Sequence, residues 1–514
     1  MASDPARDFL VVGSGFGGSV AALRLAEKGY RVAVLEAGKR YTAADFPKTN
    51  WNVRKFLWAP ALRCFGIMRL TPLPDVLVGS GVGVGGGSLV YANTLPVPRA
   101  DVFDHPDWPR GQDWEKALAP HYATARRMLG ANPNPRITSA DRILKECADE
   151  IGKGDTFKVT DVAVFFGEPG KTVADPYFGG EGPDRAGCVF CGGCMVGCRH
   201  NAKNTLDKNY LYLAEKLGVE VFAETQVDSI EARPEGGYRL LSHRTTSLFK
   251  GGRREWLAPN VVLAAGVLGT IDLLLEARDS GRLSDLSPTL GKRVRTNSET
   301  IVAATARGGD ADYTDGVAIT SSIFPDDVTH IEPVRYPRGS DLIGFLAKPI
   351  TDGGPGLPRP LRLAGPAERH QRAHEVQWMR ETGGREAHEK RNQSYIPIAN
   401  DMARRVARRI GGWPASSVNE VLFDIPTTAH ILGGAPIGSD SESAVCDAEN
   451  RVFGHPGLYV VDGSAIPVNL GVNPSLTITA LAEHALDKVP PKRPQRGERK
   501  ARYARLHSAA RGRS

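Results

Sequence analysis

The stretch FLVVGSGFGGSVAALRLAEKGYRVAVLEAG, residues 9–38, contains a strand, a glycine turn, a helix and a second strand in that order. Its first four residues are an apolar run typical of a buried strand, and the alanines and leucines after Ser19 follow a helical pattern. Gly13, Gly15 and Gly18 have the spacing G-x-G-x-x-G: the first permits a tight turn, the second lets a pyrophosphate approach the backbone, and the third lets the helix pack on the strand. These features predict a Rossmann-like dinucleotide-binding unit.

Two other segments support a dinucleotide ligand. Glu36 ends the second strand, where its carboxylate can accept hydrogen bonds from ribose hydroxyls and would repel a 2′-phosphate. The segment 261–266, VVLAAG, predicts another buried strand that ends in glycine and is followed by a helix. That unit can close the sheet against the same nucleotide.

A second glycine-rich run lies at 77–93, LVGSGVGVGGGSLVYAN. So much glycine is costly in backbone entropy, which indicates that something bulky lies against this backbone. The apolar residues 89–91 predict that the run continues as a strand.

The composition limits the protein class. The chain has 514 residues, 41% of them hydrophobic, which is enough for two substantial cores. No run reaches the ~20 apolar residues of a membrane-spanning helix, and the nucleotide fold begins too near residue 1 to leave room for a signal peptide. We therefore expect a cytoplasmic protein whose thiols stay reduced.

The positive charge is concentrated at the end of the chain. The whole chain carries +7, but residues 488–514 alone hold ten Lys and Arg and one acid, a net of +9. The rest is nearly neutral. The tail is expected to be disordered, and its alternative roles are a solvated extension and a segment attracted weakly to nucleic acid or to an anionic surface such as the inner face of the membrane. We favour the solvated extension and expect no nucleic-acid partner.

Four of the seven cysteines form a compact pattern. Cys188, Cys191, Cys194 and Cys198 have the C-x2-C-x2-C-x3-C spacing of bacterial ferredoxins, and thiolates this close in a reducing compartment suit soft iron. Arg199 follows where ferredoxins carry proline, and the other cysteines supply no second set. The pattern favours an iron–sulfur cluster. Zinc, whose ligands usually come as two separated pairs, plain thiols and disulfides are the alternatives.

Together the motifs resemble those of the glucose–methanol–choline (GMC) family of flavin oxidoreductases, and within it those of the bacterial cholesterol oxidases of the mycobacterial type. The motifs that carry the resemblance are GSGFGGSVAALRLAEKGYRVAVLEAG, GVGVGGGSLVYANT, CRHNAKNTLDKNYL, TNSETIV with THIEPVRY, and TAHILGGAPIG with VDGSAIPVNLGVNPSLTITALAE. They span nearly the whole chain except residues 353–391 and the tail.

The resemblance implies FAD as the cofactor and an α/β architecture. A discontinuous Rossmann-like FAD-binding domain is expected to be joined to a substrate domain built on an antiparallel sheet. We assign residues 1–100, 200–300 and 425–487 to the FAD-binding domain. We assign residues 101–199 and 301–424, which include the four cysteines, to the substrate domain.

The resemblance also implies cofactor contacts. The pyrophosphate is expected on the glycines of the first motif, the adenosine ribose on Glu36, and the adenine on the backbone of Val227. The residues expected near the flavin and its ribityl chain are Gly86, Gly87, Ser88, Asn93, Asp462 and Asn473.

His430 and Asn473 match the catalytic pair of the family. Hydride transfer from an alcohol requires that the hydroxyl proton be removed or strongly hydrogen-bonded, which an imidazole can do near neutral pH, while an amide orients the hydroxyl. Glu332 matches the acid that in cholesterol oxidases carries a proton during isomerisation of the steroid double bond. Burial in an apolar pocket would raise its pKa into a useful range.

The first functional hypothesis is FAD-dependent oxidation of a secondary alcohol, the 3-hydroxyl of a sterol or steroid, with dioxygen or a protein or quinone as electron acceptor. Residues 353–391 are Pro- and Gly-rich, then densely charged, and lack the alternating strands expected there, so part of the substrate wall is expected to differ. Two alternatives stay open: a flavin and iron–sulfur dehydrogenase of another apolar alcohol, and a non-catalytic flavin-binding interaction protein.

Overall fold

The structure, a computed structural model, describes residues 7–247, 251–306, 312–340, 342, 395–417, 419–420 and 425–493. Its helices are α1 (Phe16–Glu27), α2 (Val53–Phe56), α3 (Trp114–Met128), α4 (Ser139–Glu150), α5 (Tyr210–Lys216), α6 (Gly266–Asp279), α7 (Pro397–Arg409) and α8 (Ser475–Asp487). Its strands are β1 (Phe9–Val12), β2 (Val32–Leu35), β3 (Trp58–Ala59), β4 (Cys64–Phe65), β5 (Met68–Leu73), β6 (Val76–Gly81), β7 (Asn132–Pro133), β8 (Lys158–Val159), β9 (Asp161–Val162), β10 (Thr172–Val173), β11 (Arg185–Ala186), β12 (Glu220–Phe222), β13 (Thr225–Ala232), β14 (Tyr238–Arg244), β15 (Arg254–Ala258), β16 (Asn260–Leu263), β17 (Val302–Thr305), β18 (Ser321–Ser322), β19 (Trp413–Ser416), β20 (Thr427–Thr428) and β21 (Leu458–Val460).

A five-stranded parallel sheet lies at the centre of the nucleotide fold, in the order β12-β2-β1-β16-β21. In this sheet β1 lies between β2 and β16, with Phe9 opposite both Val32 and Asn260. β1 and β2 are buried along their whole length, which is why they read as continuous apolar runs rather than alternating patterns. The Rossmann-like unit predicted from residues 9–38 is confirmed, and the strand predicted from residues 261–266 joins it directly.

Helices cover this sheet and complete its core. Helix α1 packs against α5 and α8, and α3 packs against α8. Trp114 and Leu118 of α3 belong to the same apolar core as the central strands, and the Tyr122 hydroxyl donates to Thr477 Oγ1 at 2.8 Å. A helix from the segment 101–199 therefore helps to bury the nucleotide fold.

Antiparallel pairing predominates outside the central sheet. β14 pairs with β13 and β15, and in the predicted substrate segments β17 pairs with β19 and β18 with β8, all antiparallel. The predicted α/β class with antiparallel sheets in the substrate domain is confirmed. A separate three-stranded sheet has the order β20-β6-β5, and its strand β20 ends two residues before His430.

The predicted strand at residues 89–91 is wrong. The chain forms a 3-10 helix at Gly86–Leu89 instead, after Gly85 takes a left-handed φ of 105°. Ser88 stabilises this turn, because its Oγ donates to Gly85 O at 2.6 Å and accepts from Leu206 N at 3.0 Å. The glycines thus turn the chain where the apolar pattern alone predicts extension.

Residues 353–391 lie outside the described residues, as do residues 494–514 of the predicted tail. The described start of that tail lies against β1: Lys492 Nζ donates to Asp8 Oδ2 at 2.8 Å, and Lys492 N donates to Lys28 O at 2.9 Å. None of the helices in the described ranges combines the length and apolar character that crossing a membrane requires.

Candidate active site

A cavity of about 2990 Å³ extends from the first glycine turn to the substrate segments. The predicted cofactor residues that line it are Gly13, Gly15, Glu36, Gly86, Gly87, Val227, Asp462 and Asn473. The predicted catalytic residues that line it are His430, Asn473 and Glu332. The predicted residues that lie elsewhere are Gly18, Ser88, Asn93, Cys188, Cys191, Cys194 and Cys198. The fold therefore brings most of the predicted cofactor contacts and all the catalytic candidates into a shared space.

The first glycine motif has one open position. Gly13 has a φ of 97°, and a Cβ there would lie 2.2 Å from Ala264 O. A Cβ on Gly18 would lie 2.1 Å from Gly13 O, so this glycine lets α1 pack closely on β1. In contrast, a Cβ on Gly15 would meet nothing within 4 Å, and Gly15 precedes α1 without a side-chain cap. A phosphate can therefore approach the free N–H groups at the start of α1.

Glu36 connects the two glycine-rich motifs. Its Oε2 accepts from Ser14 N at 3.0 Å and from Ser14 Oγ at 2.6 Å, and its Oε1 accepts from Gly38 N at 2.8 Å and from Gly83 N at 3.3 Å. These bonds fix the carboxylate beside the glycine turn. Contact of Glu36 with a ribose stays a prediction.

The second glycine-rich run contacts the first. A Cβ on Gly86 would lie 2.6 Å from Gly15 Cα, so only a residue without a side chain fits between the two turns. Ser88 and Asn93 are buried beside this run. Asn93 has a φ of 72°, and its carbonyl accepts from Ala163 N at 2.9 Å. These two residues therefore shape the loop that presents Gly86 and Gly87 to the cavity.

Asp462 connects β21 with α6. One carboxylate oxygen accepts from Thr270 Oγ1 at 2.5 Å and the other from Ser464 N at 2.9 Å. Burial raises the pKa of Asp462, although these hydrogen bonds favour its charged form. Helix α6 begins at Gly266, where a Cβ would meet nothing within 4 Å. The N-terminus of α6 thus offers a second positive dipole end to the cavity.

His430 lies at the substrate end of the cavity and is held by Glu299. The imidazole Nδ1 contacts Glu299 Oε1, while Glu299 Oε2 accepts from Thr428 Oγ1 at 2.7 Å and from Ala429 N at 3.2 Å. Burial opposes the imidazolium, but the charges of Glu299 and Glu332 outweigh it and raise the pKa of His430. Because Nδ1–H faces a carboxylate, Nε2 is the atom that can exchange a proton with a ligand.

Asn473 lies beside that nitrogen, and Glu332 is near enough for its charge to act on the same imidazole. Asn473 Nδ2 is 3.4 Å from His430 Nε2. Burial raises the pKa of Glu332 to about 7, against the opposing charge of His430 and hydrogen bonds with Asn473 and Thr94. A carboxyl group with a pKa near 7 can accept and return a proton at neutral pH.

Sequence reasoning missed two carboxylates behind His430. Glu299 lies 131 residues before its histidine partner, so no local pattern pairs them, although the motif TNSETIV contains it. Glu420 accepts from Thr300 Oγ1 at 2.7 Å and from Thr427 N at 3.4 Å, and burial raises the pKa of Glu420 to about 7. The two carboxylates fix the backbone just before His430, because Glu420 accepts from Thr427 N and Glu299 accepts from Ala429 N.

The walls around the proton-exchanging groups are apolar. The apolar side chains that line this end of the cavity come from α4, from α7 and the residue after it, and from the segment 324–331 next to Glu332; they are Ile143, Leu144, Met402, Val406, Ile410, Phe324 and Ile331. Such walls exclude water and favour an apolar ligand, while the few polar groups fix its orientation.

Unpaired buried polar atoms show that the cavity also suits a polar ligand. Among the described residues, Asn297 Oδ1, Asn473 Oδ1 and Glu332 Oε1 are buried without a hydrogen-bond partner, and all three residues line the cavity. A buried polar atom without a partner costs free energy, so a bound molecule that supplies partners is stabilised here. These atoms, the open position at Gly15 and the N-termini of α1 and α6 fit FAD.

Within the described residues the four cysteines are not arranged as a metal centre. Cys188 packs among Val162, Val164 and Val317, and burial raises the pKa of its thiol to about 12. Cys191 is exposed, and all the cysteines are free thiols. The described residues, which include these cysteines, contain no group of three or more His, Cys, Asp or Glu placed to hold a metal ion. The iron–sulfur cluster is therefore not supported.

Comparisons with known proteins identify the family of the chain. The GMC oxidoreductase family model matches residues 354–482, and an NAD(P)-binding Rossmann-like domain model matches residues 11–50. The chain is 49% identical to a cholesterol oxidase of Mycobacterium tuberculosis, over 98% of this chain and 96% of the relative. It is 44% identical to a cholesterol oxidase of Acinetobacter baumannii, over 94% of each chain.

Solved structures show the same fold at low identity. The crystal structure of pyridoxine 4-oxidase from Mesorbium loti matches 95% of this chain and 100% of its own with a TM-score of 0.60 and 17% identity. A fungal aryl-alcohol oxidase matches 94% of this chain and 98% of its own with a TM-score of 0.55 and 14% identity. From the identity of 44–49% over nearly full lengths, the chain belongs to the GMC oxidoreductase family, FAD enzymes that act on CH–OH donors.

Proposed function

We propose that the protein oxidises the 3-hydroxyl of a sterol or steroid and passes the electrons through FAD to dioxygen. The observation that carries this proposal is the meeting of His430 Nε2, the Asn473 amide and the Glu332 carboxyl at an apolar end of the cavity. The cholesterol oxidases to which the chain is 44–49% identical support a sterol substrate and an oxygen acceptor.

His430 is the base that removes the hydroxyl proton. With Nδ1–H directed at Glu299, the neutral ring presents the lone pair of Nε2 to the cavity. Asn473 Nδ2, 3.4 Å from Nε2, can donate to the same hydroxyl oxygen and orient the carbinol C–H. Bound FAD would supply the hydride acceptor for that carbon. As Nε2 takes the proton, the Glu299 carboxylate stabilises the imidazolium.

Glu332 is suited to the isomerisation that follows oxidation of a 5-ene steroid. Oxidation of such a substrate gives a ketone with an unconjugated double bond, separated from the carbonyl by one saturated carbon. The Glu332 carboxylate can remove the proton between the carbonyl and the double bond and return it at the far end of the alkene. A pKa of about 7 leaves both forms of the group populated at neutral pH.

The test is an anaerobic absorbance spectrum of the holoprotein with a 3β-hydroxysteroid, and with the matching 3-ketosteroid as the control. We expect the flavin bands to bleach only with the alcohol, and one hydrogen peroxide to form for each ketone when air is admitted. Bleaching by a primary apolar alcohol but not by the steroid would overturn the substrate class.

The same sample separates oxidase from dehydrogenase. Slow reoxidation in air and fast reoxidation by a quinone would overturn dioxygen as the acceptor. Iron measured at cluster stoichiometry would restore the iron–sulfur dehydrogenase, which the arrangement of the cysteines does not support.

A further inference from the structure

Arg69 is a cation that lines the cofactor cavity and has no hydrogen-bond or ion-pair partner among the described residues. It lies on β5, opposite Ser80 of β6. Among the described residues its guanidinium makes no hydrogen bond or ion pair. Burial lowers the pKa of Arg69, and the charge of Glu36 opposes that effect, so the carboxylate is near enough to act on the guanidinium without contacting it.

The neighbours of Arg69 place it beside the first glycine turn. Strand β6 leads into the second glycine-rich run, where a Cβ on Gly81 would lie 2.6 Å from Gly86 O. A Cβ on Gly86 would in turn lie 2.6 Å from Gly15 Cα, at the turn that leaves space for a phosphate. The β5–β6 hairpin therefore runs along the phosphate end of the cavity.

We propose that Arg69 binds the diphosphate of FAD from the β5–β6 hairpin, across the cavity from the first glycine turn. A partly buried charge without a partner is costly, and a diphosphate supplies negative oxygens whose geometry matches the guanidinium. Glu36 does not act as the ion-pair partner of Arg69, because its carboxylate oxygens already accept hydrogen bonds from Ser14, Gly38 and Gly83. This inference concerns the cofactor site and holds whichever alcohol the enzyme oxidises.

The experiment titrates FAD into apoprotein and measures the dissociation constant by quenching of flavin fluorescence. The variants are Arg69→Met, Arg69→Lys and the control Arg54→Met, which removes an exposed cation on α2 outside the cavity lining. We expect the constant to rise about 10- to 100-fold in R69M, less in R69K, and to be unchanged in R54M. FAD affinity should also depend less on salt in R69M than in the parent chain.

Competition by ADP and by adenosine identifies the group that Arg69 contacts. R69M should lose affinity for ADP by a similar factor and keep its affinity for adenosine, which lacks the diphosphate. Equal losses for ADP and adenosine, or parental FAD affinity in R69M, would overturn the proposal. Circular dichroism of each apoprotein checks that it is folded. If R69M does not fold, the affinities for FAD, ADP and adenosine are compared in R69K and Arg69→Gln instead. No substrate is used, so the result is independent of the proposed reaction.

Discussion

At the scale of the residue, the Glu299–His430 pair sets the pH range of the reaction. In Glu299→Gln the charge that raises the pKa of His430 is lost, while burial, which lowers that pKa, remains. Because the neutral imidazole is the base, kcat/KM rises with pH through the pKa of His430. The acid limb of E299Q should therefore lie at lower pH than that of the parent, with a plateau about 10- to 100-fold lower because the ring is less well oriented.

The measurement is kcat/KM between about pH 5 and pH 9, a window that spans the ordinary titration range of histidine. Glu442→Gln is the matched control, since Glu442 is exposed and does not line the cavity. If the acid limb of the kcat/KM profile does not shift in E299Q, Glu299 does not raise the pKa of His430.

Glu332 should separate oxidation from isomerisation. In Glu332→Gln the carboxyl that titrates at about 7 is lost, but His430 and Asn473 remain. We expect the unconjugated ketone to accumulate, with isomerisation slowed about 10²- to 10⁴-fold and oxidation affected much less. Product chromatography with a 5-ene 3β-hydroxysteroid measures both steps. In the parent, isomerisation should rise with pH through about 7, and an E332Q enzyme that still forms the conjugated ketone would contradict this role.

The sequence identifies some of these residues better than others. His430, Asn473 and Glu332 lie within motifs that carry the family resemblance, so they could be predicted and they do meet in the cavity. Glu299, the acidic partner of His430, could not be predicted, because the two residues become neighbours only when distant segments of the chain fold together. Arg69 was missed for a similar reason: its significance is that no described residue pairs with it, which a sequence does not show.

At the scale of the element, neighbouring glycines of the first turn should respond differently to alanine. A Cβ at Gly17 would lie 1.8 Å from Val461 O, a backbone atom of the adjoining segment, so Gly17→Ala should destabilise the apoprotein by about 1–3 kcal/mol. A Cβ at Gly15 meets nothing within 4 Å, so Gly15→Ala should leave apoprotein stability unchanged but weaken FAD. Thermal unfolding of the apoproteins and FAD titration measure the two effects. A G15A apoprotein as unstable as G17A would refute the assignment of that space to a ligand.

Periodicity predicts the elements of the central sheet because its strands are buried on both faces and its helices follow a regular apolar pattern. It fails at residues 89–91, where glycines at positive φ and the Ser88 hydrogen bonds select a 3-10 helix. The cysteine spacing predicts an iron–sulfur cluster that the structure does not support, because spacing along the chain does not fix how the thiols are arranged in the fold: Cys188 is buried whereas Cys191 is exposed.

At the scale of the whole molecule, the cofactor site is assembled from distant parts of the chain. The cavity is lined from the turn after β1, the hairpin β5–β6, strand β13, the start of α6 and the segment before α8. The first of these could be assigned from its glycine spacing alone. The order β12-β2-β1-β16-β21, which brings residues near 264 and 462 to the same edge as Gly13, depends on the crossover connections between parallel strands.

A ligand that contacts all these parts should stabilise them together. FAD that binds only the folded chain adds about 2.7 kcal/mol at a free concentration 100 times its dissociation constant, so the holoprotein should unfold a few degrees above the apoprotein. The increment should grow with the logarithm of FAD concentration and shrink in R69M and G15A, although G15A apoprotein unfolds like the parent. Scanning calorimetry of apoprotein across an FAD series measures this increment. If FAD stabilised only one of two separate unfolding transitions, the parts that line the cavity would be shown to fold independently of one another.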